Sequence, residues 1–176
     1  MSAKGFSCRH SFTGTLLEQA RQDPRIMAVT SDETDCPFSF GKATMLAAGS
    51  DVLLVACGET VHPTLQASRH LAAEGISCTV LDIHALRPFD DEAIIQAAGK
   101  ARVVVTVEEH SIHGGLGSAV AEILSQEINR PLKIMGFPDQ YPPCGESAEL
   151  FAWCGLTDRG IADAARQLLA KAGKRA

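Results

Sequence analysis

The chain has 176 residues, 45% hydrophobic but only 5% aromatic, and a formal net charge of −5. That length supports one domain of ordinary size plus an appendage, with a core stable without staples, and the aliphatic composition suits an α/β protein with a buried parallel sheet. No dense Lys/Arg stripe appears, so the phosphate neutralisation that DNA or RNA binding requires is not expected, and the basic tail KAGKRA reads as a solvated end.

The first element in chain order is FTGTLLEQARQDPRIMAVTSD (residues 12–32), a helix carrying Leu16, Leu17 and Ala20 followed by a short strand, Ile26 to Thr30. Such a pair cannot bury its apolar face without neighbours. ETDCPFSF then reads as a join between two segments. KATML and VLLVA, separated by the hairpin-like AAGSD, predict a short antiparallel edge strand at the front of the sheet. DVLLVACG is a continuous apolar run ended by glycine, as in a strand covered on both faces. Val61, Leu65, Ser68 and Ala72 recur at helical spacing, with Pro63 in the first turn and Gly75 as the stop. CTVLDIHAL is the next strand, and RPFDDEAIIQAAG a turn whose Asp caps a short helix. RVVVTVEE, GLGSAVAEILSQEI and PLKIMGFPD follow as strand, helix and strand. A last amphipathic helix spans about Asp158 to Lys171, with Ile161, Ala165, Leu168 and Ala172 on one face. Alternation of this kind needs right-handed crossovers. It predicts a doubly wound α/β fold whose mostly parallel sheet has about five strands and one antiparallel edge strand.

Six cysteines occur (Cys8, Cys36, Cys57, Cys78, Cys144, Cys154), with no CxxC spacing and no signal-peptide pattern at the N-terminus. Cys57 and Cys78 fall in strand-like runs, so reduced thiols in a cytoplasmic protein are expected. No apolar run approaches the roughly 20 residues of a membrane span, so no membrane partner is expected.

The most chemical stretch is VEEHSIHGGLGSAV, Val107 to Val120. Gly114, Gly115 and Gly117 follow a strand and open a helix, with Ser118 just inside it. Backbone N–H groups and the helix dipole could hold an anion there, at the strand end where open α/β sheets bind ligands. The spacing is neither GxGxxG nor a P-loop, and the same glycines can serve a sharp turn or a subunit contact. Glu108, Glu109, His110 and His113 suggest a metal site or a general acid–base pair, but one turn cannot supply a full ligand set, and His62, His70 and His84 are scattered. Hydrogen bonds from Glu109 and His110 that fix the loop or a neighbouring domain are the plainer role. Cys8-Arg9-His10 could form an activated thiol only if something oriented the pair. Arg87 before Pro88 could hold a carboxylate or phosphate, or stay solvated, and Tyr141 and Trp153 read as cover for apolar surface at a domain edge.

FSFGKATMLAAGSDVLLVACG, ISCTVLDIHALRPFDDEAI and VVVTVEEHSIHGGLGSAVAEIL together resemble the C-terminal domain of transketolases, above all the small subunit of split transketolases. The likeness runs from about Phe38 to Ala170, and HSIHGGLGS favours transketolase over deoxyxylulose-phosphate synthase and the beta chains of 2-oxo-acid dehydrogenases. Residues 12–32 are similar to the opening helix and strand of the family's pyrimidine-binding domain. The rest of that domain has no counterpart before FSFGKATML, and no Gly-Asp-Gly metal motif occurs. The resemblance thus divides the chain into a pyrimidine-domain remnant with its join (1–37) and a transketolase C-terminal-like domain (38–176). It implies two-carbon ketol transfer between sugar phosphates, with thiamine diphosphate and Mg in the complete enzyme and neither bound by this chain alone. The absent segments would supply the glutamate that protonates the cofactor's aminopyrimidine ring and the aromatic residues that stack on it. No residue here is therefore assigned a catalytic, cofactor-binding or metal-binding role. Glu109, His110, His113, Gly114, Gly115, Gly117 and Ser118 remain a candidate loop for an anion or a subunit contact. The expected partners are further copies of the chain, a chain carrying the thiamine-diphosphate-binding domains, or both. A non-catalytic interaction module of the same fold, and an independent anion- or nucleotide-binding domain, are the other readings.

Overall fold

The computed structural model describes residues 39–174. The helix and strand expected over residues 12–32, the join up to Phe38, Cys36 and the Cys8-Arg9-His10 triplet lie outside the described residues.

Continuous apolar runs become the sheet interior. β1 (Thr44–Ala47), β2 (Val52–Ala56), β3 (Cys78–Asp82), β4 (Val103–Ser111) and β5 (Leu132–Phe137) form one five-stranded sheet in the order β1-β3-β2-β4-β5. All neighbouring pairs are parallel except β1 with β3. Among the described residues five α-helices connect or flank them: α1 (Val61–Ala73), α2 (Asp91–Lys100), α3 (Leu116–Glu127), α4 (Ser147–Cys154) and α5 (Asp158–Gly173). Side chains alternate along the strands and divide the core in two. Val52, Leu54, Val103, Val105 and Val107 meet Val61, Leu65 and Leu71 of α1 and Ile161, Ala165 and Leu169 of α5. Leu53, Val55 and Val104 meet Ile94 and Ala98 of α2 and Leu116, Val120 and Leu124 of α3. Helices thus cover both faces, the doubly wound arrangement expected.

Four details depart from the sequence reading. The edge strand is antiparallel, but β1 pairs with β3 and forms no hairpin with β2. Both edges of β2 are taken by β3 and β4, so the connection must cross the start of β3. Gly49 permits that crossing, since a Cβ there would sit 2.7 Å from the Cys78 carbonyl carbon, and Thr79 Oγ1 locks it by donating to Gly49 O (2.7 Å) and accepting from Gly49 N (3.1 Å). In α1 it is Leu71 that is buried while Ala72 is exposed. In α5 it is Leu169 that is buried, with Leu168 at the margin. The short helix α4 was not expected. Gly75, by contrast, ends α1 as predicted, at φ +80°, with its N–H on Ala72 O and that of Ile76 on Leu71 O (both 3.0 Å).

The cysteines Cys57, Cys78, Cys144 and Cys154 are free. Among the described residues no helix is long and apolar enough to cross a membrane.

Candidate functional site: the turn after β4

After β2 the chain leaves to one side for β3 and later returns to the other side for β4. The carboxyl ends of β2 and β4 therefore mark the point where the winding reverses, where a crevice is expected in such sheets. The turn Cys57–Thr60 and the end of β4, which leads into the loop Ile112–Gly115, meet there. Thr60 ties them together, its hydroxyl lying 2.8 Å from both Cys57 O and Val107 O and sharing one proton between them.

Period-two alternation decides the fate of the two adjacent glutamates. Val104, Thr106 and Glu108 point to the α3 face of β4, and Glu109 points the other way. Glu108 is only 1% exposed. Its Oε2 accepts from Leu116 N (2.7 Å) and its Oε1 from Gly117 N (2.8 Å), so one carboxylate takes two N–H groups of the first turn of α3. Gly115, the N-cap, has no side chain to do so. A Cβ on Gly115 would stand 2.9 Å from Glu108 Cδ, and one on Gly117 2.9 Å from Thr106 Oγ1, so both glycines serve close approach. Gly114 alone of the three needs positive φ (+80°).

The remaining loop is held by short side chains. Ser118 Oγ accepts from Gly114 N (2.8 Å), Ser111 Oγ from His113 N (3.2 Å), and His110 Nδ1 lies 3.2 Å from Ser111 O. Glu109, His110 and His113 are exposed. The carboxylate that fixes the loop is thus Glu108, not Glu109, because only the former falls on the buried face. Partial burial, and after it the neighbouring Glu59 carboxylate, push the Glu109 carboxyl above its usual range. At the same sheet end, burial first, then the Glu108, Asp82 and Glu109 carboxylates, push the Cys57 thiol up to about 12, which disfavours the thiolate.

The other candidates lie apart. His70 Nε2 meets Asp158 at 2.9 Å between α1 and α5, His84 Nε2 lies 3.2 Å from Ser39 O, and Arg87 is exposed beside the cis Arg87–Pro88 bond. Tyr141 is fully exposed and covers nothing within the domain, while Trp153 on α4 is 40% exposed. Among the described residues no three His, Cys, Asp or Glu side chains converge as metal ligands. The site does therefore one thing visibly: it satisfies two N–H groups at the start of α3 with a carboxylate of the chain's own.

Known proteins share both the sequence pattern and the fold. The family model for the transketolase C-terminal domain matches residues 41–161. One of the subunits of the apulose-4-phosphate transketolase of Phocaeicola vulgatus is 42% identical over 140 residues, 80% of this chain and 45% of the relative. The 6-deoxy-6-sulfo-D-fructose transketolase subunit SqwH of a Clostridium species is 40% identical over 141 residues, 80% of this chain and 44% of the relative. Among solved structures, a split-gene transketolase in the form of an inactive β4 tetramer shares 39% identity at a TM-score of 0.71, covering 82% of this chain and 47% of that one. The chain thus spans less than half the length of these relatives. By the match over residues 41–161, it belongs to the transketolase C-terminal domain family.

Proposed function

We propose that this chain is the scaffold portion of a split, thiamine-diphosphate-dependent transketolase. On this reading it is inactive by itself and completed by a partner chain that carries the cofactor-binding domains. The observation that carries the reading is 42% identity to one of the subunits of a transketolase, across 80% of this chain. That a split-gene relative forms an inactive β4 tetramer supports both inactivity of the lone chain and self-association. Exposed apolar side chains on and beyond opposite edges of the sheet, Met45 on β1 and Tyr141 and Trp153 past β5, support association further.

The described residues do not fit thiamine diphosphate and its metal. Two donors of the α3 N-terminus, the place suited to a diphosphate, are taken by Glu108, whose negative charge repels another anion. No group of three metal-ligating side chains converges among them, and the sequence has no Gly-Asp-Gly motif. No catalytic step is therefore assigned to this chain. Its part is to present a stable α/β body, residues 38–176, to the domains that hold the cofactor, with residues 1–37 as a remnant of the pyrimidine-binding domain.

The test is reconstitution. The purified chain is assayed for ketol transfer between sugar phosphates with thiamine diphosphate and Mg, alone and mixed with a candidate partner bearing a Gly-Asp-Gly motif. Turnover only in the mixture is expected. Robust turnover by the chain alone overturns the proposal, and silence in every mixture favours a non-catalytic module of the same fold.

A further inference from the structure

A helix N-terminus after a glycine turn, at the reversal point of a parallel sheet, is built to attract an anion. Here the anion is already present and comes from the protein. Glu108 reaches the first turn of α3 from β4, eight and nine residues earlier, and pairs one oxygen with each of two N–H groups. The surroundings are shaped to it. Gly115 stands where any side chain would overlap the carboxylate, and Gly136 of β5 lets the His110 carbonyl at the end of β4 come close, 2.6 Å from where a Cβ would stand, with Glu108 Cγ in ordinary contact at 3.4 Å. The glycine at the N-cap thus leaves room for one buried carboxyl group. Immediately outside it, the chain runs from exposed His110 at the end of β4 through the half-buried Ser111 and Ile112 to exposed His113 and Gly114, just before this anchored turn.

We propose that Glu108 is an intramolecular ligand: its carboxylate fills the anion site of the α3 turn and thereby positions the segment His110–Gly114. Glu108 is a positioning residue in this account, not a catalytic one. The inference is independent of the proposed activity, and its test uses no partner chain. Replacing Glu108 by alanine removes one methylene and one carboxylate, the same heavy atoms as acetate, without changing the backbone. The vacated space then contains two aimed N–H groups and matches acetate in size and charge.

The experiment uses the full 176-residue chain, labelled for amide NMR and hydrogen exchange. In Glu108→Ala the Leu116 and Gly117 amides should exchange roughly tenfold faster or more, the amide signals of residues 110–114 should broaden, and acetate should reverse both saturably. The wild-type chain should show no saturable acetate shift at those amides. Glu108→Gln keeps the shape but not the charge; it should exchange faster than wild type and ignore acetate, because the carboxamide occupies the space. The proposal falls if the alanine variant keeps both amides protected without any anion, if a folded alanine variant does not respond to acetate, or if the wild-type chain binds acetate there. Should Glu108→Ala not fold, recovery of folding by acetate supports the proposal. Exchange in Glu108→Gln indistinguishable from wild type overturns it in every case.

Discussion

Helices α2 and α3 pack side by side on the same face of the sheet, and each has a buried carboxylate at its N-terminus, yet the two caps are built differently. Asp90 caps α2 from the adjoining position, accepting from Ala93 N at 3.4 Å, and also draws in the approach to β1 through Ala43 N (2.9 Å) and Lys42 Nζ (3.3 Å). Glu108 caps α3 from the preceding strand across a glycine loop. The first is a local motif with a tertiary bonus; the second exists only once β4 and α3 are packed. A local cap secures one helix, whereas a strand-borne cap secures the angle between strand and helix, and with it the loop between them.

The largest expected effect comes from breaking the strand-borne cap. Glu108→Ala leaves two buried N–H groups without their charged partner and should cost about 3 kcal/mol in urea unfolding. Gly115→Ala sharpens the point, because φ −102° at Gly115 admits alanine and only the Glu108 carboxylate is in the way. A loss of about 2 kcal/mol is expected from that overpacking, and a variant as stable as wild type would show the carboxylate can move aside freely. The local cap should matter less: Asp90→Ala should cost about 1.5 kcal/mol by the same measurement. A hydroxyl on the inner face offers the opposite sign. Thr106 Oγ1 is buried without a hydrogen-bond partner beneath Gly117, so Thr106→Val should stabilise by about 1 kcal/mol.

The pH dependence should be smaller still. Hydrogen bonds from Ser77 Oγ and Ser77 N, helped by Arg102 and opposed by burial, hold the Asp51 carboxyl below its usual range. Burial alone would raise Asp90, but bonds from Ala43 N, Lys42 and Ala93 N outweigh it and keep that carboxyl low as well. A carboxyl lowered in the folded state contributes stability that is present above about pH 4, the unfolded value, and lost as pH falls through the folded one. Thermal melts from about pH 6 down to about pH 2 should therefore show a falling Tm. Asp51→Asn should flatten the acid limb, and an unchanged limb would remove Asp51 from the account.

Most of the fold was legible for the reason the comparison supplies: strands buried on both faces write themselves as unbroken apolar runs, and the Asp90 cap sits next to the helix it serves. Three things were not. Strand β1's partner depends on which edges of the sheet are free, a property of the whole topology. Helix α4 buries no residue fully and has no apolar stripe, although its capping box, Glu146 N to Glu149 Oε2 at 2.9 Å, is a local signal that acidic residues supplied in place of the usual Ser or Thr. At the candidate site the glycine turn was visible, but Glu108 and Glu109 are told apart only by the register of β4. Counting alternation onward from Val104 through Thr106 would have placed Glu108 on the α3 face, which is the signal that could have found it.

The central functional claim is that the cofactor's binding groups lie on another chain. Calorimetric titration of thiamine diphosphate with Mg tests it most directly, into the isolated chain and into its mixture with the partner. The account predicts saturable heat from the mixture and none from the chain alone. Stoichiometric, saturable binding to the isolated chain would contradict it.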